Sequence, residues 1–340
     1  MRALRSHLGR PELLSGAPDP AAEPGWAVVR VTSAAIAQPE LAASAPGSAY
    51  SGVLGSHVAG VVHAVGGVVA TDTPAVGRRV VINPTAPCMR CARCRSGLGA
   101  HCPERRVAGA HGLDGGLAEL VRVPTPCLVP VPEGLDDATA ALALTVAAAA
   151  HTAAMFRAEG KPYITVLGDG LLALTAVQVL ARLNASVRLL GVRPERFTLC
   201  ERWGVRHRHV DQAGRRQDQD IVVDCTGEPA GLGAALGMIR PRGRVILARG
   251  PAAVPLDGPA SQGVTLAPGS AQAVALEALA ANEVELVGSR DGSLREAMTL
   301  LRAGAVHVAP MITARGGMAS AEQLLHEARA GAHPCAVITP

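Results

Sequence analysis

Four cysteines crowd into fifteen residues: Cys88, Cys91, Cys94 and Cys102, in the stretch CMRCARCRSGLGAHC. The spacing is C-x2-C-x2-C-x7-C, and thiolates on so short a loop can converge on one tetrahedral metal ion. Four protein ligands leave no coordination position open for a substrate, so the expected role is a structural zinc. An iron–sulfur cluster uses the same number of cysteines and is the alternative. A disulfide framework is not expected, because nothing marks the chain as secreted. Cys127, Cys200, Cys225 and Cys335 are scattered in apolar stretches and read as buried thiols.

A second group of residues points to nucleotide chemistry. The segment TVLGDGLLALTAVQVL puts Gly168, Asp169 and Gly170 directly after an apolar strand and at the mouth of a helix. Gly168 permits the tight turn. Gly170 lets the backbone approach a pyrophosphate lying at the positive end of the helix. Ala173 takes the place of the third glycine, where helix and strand pack closely. An ordinary strand-to-helix turn is the competing reading, and the βαβ pattern that follows is the context that argues against it. At the end of the next strand, in SVRLLGVRPER, an acid would bind the ribose hydroxyls of NAD. Gly191 stands there instead, followed by Arg193 and Arg196. Without a carboxylate to repel a 2′-phosphate, and with arginines to pair with it, NADP(H) is favoured over NAD(H). Solvent-facing arginines are the alternative.

The elements that must position these residues fall into two textures. Up to about residue 130, short β-prone runs (Trp26–Thr32, Gly60–Val65, Arg79–Ile82, Leu117–Val123) are separated by Gly, Pro and polar clusters, as in a barrel-like β unit. The alanine-rich stretch from residue 135 predicts a helix started by Asp136 and Asp137. From residue 161 strands and helices alternate: Tyr163–Leu167, Leu171–Leu183, Ser186–Leu190, Glu195–Trp203, Ile221–Val223, Arg244–Leu247, Glu283–Val287 and Leu294–Arg302. That alternation predicts a parallel sheet covered on both faces. Between Pro251 and Ala273 the sequence shows no period and reads as a long loop or insertion.

Composition narrows the partners. The 340 residues are 49% hydrophobic, 18% charged and 2% aromatic, with a net charge of +4 spread along the chain. There is no basic tract, so nucleic acid is not the expected partner. The longest apolar run is too short to span a bilayer, and the N-terminal residues lack the apolar core of a signal peptide. A cytoplasmic protein with a small-molecule substrate and no membrane partner is expected.

Taken together, LGSHVAGVVHAVG, VGRRVV, CMRCARCRSGLGAHC, DGGLAELVRVP, LVPVPEGL, VLGDGLLAL, DIVVDCTG, IRPRGRVILA and VGSRDG resemble the medium-chain dehydrogenase/reductase superfamily, in its zinc-containing alcohol dehydrogenase-like branch. The motifs run in the family's order over nearly the whole chain. The resemblance implies an α/β fold: a GroES-like, β-rich catalytic domain plus a Rossmann domain with a doubly wound parallel sheet. On that basis residues 1–150 form the catalytic domain with a zinc lobe at 88–102, residues 151–290 the NADP-binding domain, and residues 291–340 return to the catalytic domain. It also implies a cofactor cleft at their junction and a homodimer or homotetramer. It adds Leu171, Leu172, Cys225 and Thr226 to the cofactor-binding set.

The resemblance breaks at the family's second, catalytic zinc, which polarises the substrate oxygen. The positions that would carry its ligands hold Ala37, Ser56 and Leu144, and Pro39 stands where a proton-relaying hydroxyl is usual. His57 follows Ser56, but one histidine does not make a zinc site. His57 is the one catalytic candidate, as a general acid; a histidine filling the space of a lost glutamate is the plainer reading. Glu40 reads as orienting backbone, His151 as a packing or cofactor contact, and His101 as solvent-facing. The function expected is therefore an NADP(H)-dependent oxidoreductase without catalytic zinc, reducing an activated C=C, C=N or C=O of a small molecule. The alternatives are a non-catalytic nucleotide-binding protein and a lyase or isomerase on the same scaffold.

Overall fold

The computed structural model describes residues 1–67, 70–157, 160–214, 216–248 and 271–340. The chain divides into two compact units, Met1–Leu144 with Leu294–Pro340, and Thr145–Ser293. The sequence reading placed the breaks at 150 and 290. The first break falls inside the alanine-rich segment, which forms two helices, Asp137–Ala141 and Ala143–Ala154, and it lies within the second of them. The Asp136 side chain caps the first by accepting a hydrogen bond from the Thr139 N–H at 2.9 Å.

The first unit is built around the eleven-residue strand Trp26–Ile36, whose β-branched and small residues are buried along most of its length. On one side it pairs antiparallel with His57–Val65, which continues through Arg79–Ile82 to Leu128–Pro130. Leu120–Pro124 also pairs with it. On the other side it pairs with Cys335–Thr339, which runs parallel to Ile312–Gly317. The C-terminal residues thus complete the sheet begun by the N-terminal ones. A smaller sheet joins Ala3–His7 to Arg10–Leu14 and Ser51–Val53. Leu4, Ile36, Leu54, Ile82 and Leu117 are fully buried between these layers.

The second unit holds a six-stranded parallel sheet. Its order is Arg206–His209, Ser186–Gly191, Tyr163–Leu167, Gln219–Asp224, Ile239–Leu247 and Glu285–Gly288. Numbered along the chain within this unit, that order is third, second, first, fourth, fifth, sixth. The order reverses beside Tyr163–Leu167, the point at which doubly wound sheets open a crevice at their carboxyl ends. Helices Leu171–Ala181 and Pro229–Met238 pack on the sheet. The segment read as a loop from Pro251 lies outside the described residues as far as 270, and a helix runs over Ala271–Ala281. No helix among the described residues is long and apolar enough to cross a membrane.

Candidate functional site

The nucleotide corner forms at the carboxyl ends of three neighbouring strands. Tyr163–Leu167 runs into Gly168, whose φ of +105° is a conformation that L side chains rarely adopt. The Gly168 N–H donates to the Leu190 carbonyl at 2.8 Å, tying the turn to the adjacent strand. Gly170 then caps helix Leu171–Ala181 without a side chain of its own. A Cβ at Gly170 would meet no atom within 4 Å, so the space over the first helical turn is open. Leu171 is buried, Leu172 is half-buried, and Ala173 is 1% exposed against the sheet. Cys225 and Thr226 follow the strand Gln219–Asp224 and flank the turn: a Cβ at Gly168 would lie 3.6 Å from both the Cys225 carbonyl carbon and the Thr226 methyl. The first N–H groups of a helix have no intrahelical partners, and beside an open cradle they suit the pyrophosphate of a dinucleotide. All ten residues read from the sequence as cofactor-binding lie around this corner.

The two arginines differ in what they can do there. Asp169, 4% exposed, accepts the backbone N–H groups of Val192 and Arg193 at 2.7 and 2.8 Å. Its other oxygen takes Nη1 of Arg193 and Nη1 of Arg196, each at 3.2 Å. Arg196 also donates to the Asp169 carbonyl at 2.9 Å and is 6% exposed. Burial pulls Arg196 below the ordinary arginine range, and the Asp169 carboxylate opposes that shift. Arg196 therefore braces Asp169 and presents little surface to a ligand, which corrects its reading as a phosphate contact. Arg193, 35% exposed, is held through Nη1 alone among the described residues, which leaves Nε and Nη2 for a ligand. Nothing in the sequence reading had linked Asp169 to these arginines; the signal was an acid inside the glycine motif together with Gly191.

The cysteine loop of the first unit is framed by Thr85–Ala86 pairing with Arg106–Ala108. The ligand atoms of Cys88, Cys91, Cys94 and Cys102 all lie within 4.8 Å of one another. Three of the Sγ pairs stand at 3.5, 3.9 and 3.9 Å. Tetrahedral zinc with Zn–S bonds of about 2.3 Å requires Sγ separations of about 3.8 Å, so the cage fits zinc. The N–H groups of Arg90 and Cys91 lower the Cys88 thiol to about 6, while desolvation and the neighbouring thiols raise Cys94 to about 12. Thiols this close cannot all ionise without a cation among them, and a divalent metal supplies one.

The positions of the family's catalytic metal are filled differently. Among the described residues no other group of three or more His, Cys, Asp or Glu could hold an ion. Ala37 is 5% exposed, Ser56 is 2% exposed, and Leu144 ends the first unit. The Ser56 hydroxyl donates to the Ala108 carbonyl at 2.9 Å. The fully buried Glu40 accepts the Ala37 N–H at 2.9 Å and the Ser56 N–H at 2.6 Å. One carboxylate thus spans the backbone of two positions at which the resemblance expects metal ligands. Burial alone would raise Glu40, but the nearby His57 ring and the two N–H donors outweigh it and hold Glu40 below its ordinary range. His57 lies opposite Ala35 in the sheet, is 2% exposed, and has Nδ1 3.6 Å from the Glu40 carboxylate. This pocket is a hydrogen-bonded core and does not fit a second zinc.

Residues 23–133 match the alcohol dehydrogenase GroES-like domain. The chain is 24% identical over 206 residues to a sorbitol dehydrogenase of Bacillus subtilis, a stretch spanning 57% of this chain and 58% of that one. In three dimensions it superposes on a putative zinc-binding dehydrogenase from Sinorhizobium meliloti bound to NADP. That match has a TM-score of 0.81, 23% identity, and coverage of 100% of this chain and 99% of that chain. It superposes equally on an alcohol dehydrogenase, rspB, from Escherichia coli in complex with NADH. There the TM-score is 0.84, the identity 20%, and the coverage 100% and 99%.

Proposed function

We propose that the chain, which resembles the zinc-containing alcohol dehydrogenase-like branch of the medium-chain dehydrogenase/reductase superfamily and matches the alcohol dehydrogenase GroES-like domain over residues 23–133, is an NADP(H)-linked oxidoreductase that acts without a catalytic zinc. Its substrate is a small molecule with an activated C=C, C=N or C=O group. One contrast carries the reading: the nucleotide corner keeps its turn, its open cradle and its arginine, while Glu40 spans the vacated ligand positions Ala37 and Ser56. A bound nicotinamide would supply the hydride. The Gly170 helix terminus would hold its pyrophosphate, and Arg193 would face its adenosine end. A neighbour of the same fold carries NADP, which agrees with this choice; another carries NADH, so the fold does not decide it.

An alkene conjugated to a carbonyl, or an iminium, accepts hydride with no metal Lewis acid to polarise it. Such substrates suit a site whose metal positions hold alanine, serine and leucine. The strand Glu285–Gly288 pairs only with Ile239–Leu247 among the described residues, and its Leu286 is 43% exposed. That free edge supports assembly as a homodimer or homotetramer. A cytoplasmic location belongs to the same reading.

The test is NADPH consumption by the purified chain against a panel of enones, imines and aldehydes, with product identified. Turnover of at least one activated C=C or C=N substrate is expected. A panel with no consumption overturns the oxidoreductase reading and leaves a nucleotide-binding protein. Product formed with unchanged NADPH absorbance overturns it in favour of a lyase or isomerase.

A further inference from the structure

The carboxylate of Asp169 stands where a different residue would be expected to put one. A Cβ built on Gly191 would lie 2.8 Å from both Cβ and Oδ2 of Asp169. The space at the end of the second strand is therefore taken by a side chain from the glycine turn, 22 positions earlier in the sequence. An acid in that place invites a role in binding the ribose diol. The hydrogen bonds argue against it. A carboxylate has about four acceptor sites. Here Val192 N, Arg193 N, Arg193 Nη1 and Arg196 Nη1 take them all. At 4% exposure, Asp169 has no acceptor left to offer a hydroxyl.

The charges lead to the same place. Arg196 is 6% exposed and cancels the charge of Asp169 as a buried pair. Arg193 is the other cation of the group, and among the described residues its side chain is held by one nitrogen only. Its backbone is fixed as well, because Asp169 binds the N–H groups of Val192 and Arg193. We propose that Asp169 is a positioning residue for cofactor selection: braced by Arg196 and admitted by Gly191, it holds Arg193 ready for the 2′-phosphate of NADP(H). This rests on the NADP(H) reading above. It adds that selectivity is set from the glycine turn, through Arg193, and needs Gly191 to be side-chain-free.

Calorimetric titration of the full chain with 2′,5′-ADP and with 5′-AMP isolates the adenosine corner from catalysis. The unaltered chain is expected to bind 2′,5′-ADP more tightly. Asp169→Asn should weaken 2′,5′-ADP by about tenfold or more, from loss of one charge-assisted contact, and leave 5′-AMP nearly unchanged. Gly191→Ala keeps every charge but pushes on Asp169, and should show the same selective loss if Asp169→Asn does not fold. Equal weakening of both ligands means a merely structural role and overturns the proposal, as does no change in either. If the unaltered chain binds the two ligands equally, the NADP(H) reading itself falls and takes the proposal with it. A selective loss in the variants is the result that supports both.

Discussion

Replacing Glu40 with glutamine should destabilise the first unit by about 2–4 kcal/mol at neutral pH. The magnitude follows from the two oxygens. Each accepts one buried backbone N–H, from Ala37 and from Ser56. Glutamine keeps the volume but has one oxygen, so its NH2 must face one of those donors. Leaving a buried donor unsatisfied costs about 1–3 kcal/mol, and the remaining bond loses its charge assistance. The neighbouring His57 also loses its carboxylate at 3.6 Å. For a unit of this size the thermal midpoint should fall by about 5–15 °C. The pH dependence gives a second reading. Glu40 titrates below its ordinary value of 4.5 because His57 and the two N–H donors outweigh its burial. Its stabilisation is complete above that value and is lost as pH falls through the lowered one. Urea unfolding of both proteins between pH 7 and pH 3 should therefore show a gap that narrows only in acid. A variant within about 0.5 kcal/mol of the original at neutral pH, or a gap constant down to pH 3, would refute the reasoning.

Other expectations are simpler to check. Cys102→Ser removes the one fully buried thiol of the cage and should abolish tight zinc binding; metal analysis and protease cleavage within residues 88–102 measure it. Gly170→Ser should leave the thermal midpoint unchanged, since its Cβ meets nothing and serine is a good helix cap. The same change should weaken NADPH binding by about tenfold, as one side chain enters the pyrophosphate's path. Gly168→Ala should destabilise the second unit by about 1–3 kcal/mol, because φ of +105° strains any L residue.

Much of the scaffold was legible because its signals are local. Tyr163–Leu167, Arg79–Ile82 and Leu294–Arg302 fall where periodicity and flanking glycines put them. The cysteine spacing predicted the cage, and G-x-G after a strand predicted the turn. The strand read from Gly60 starts at His57, because pairing with Trp26–Ile36 extends it past the β-prone residues. The hairpin of Ala3–His7 and Arg10–Leu14 was not anticipated. Its strands alternate weakly and carry charges, and tertiary pairing with Ser51–Val53 holds it. The roles of Asp169, Arg196 and Glu40 depend on contacts across 16 to 27 positions. A motif reading shows that an acid and an arginine are present. It does not show that one has buried the other.

The absence of a second zinc is the claim on which the functional reading turns. Native mass spectrometry of the purified chain, loaded with excess zinc and then desalted, measures it directly. One zinc per chain is expected, retained by the original sequence and lost in Cys102→Ser. Two tightly bound ions per chain, with one surviving Cys102→Ser, would contradict it, because no described residues beyond the cysteine loop could hold the second.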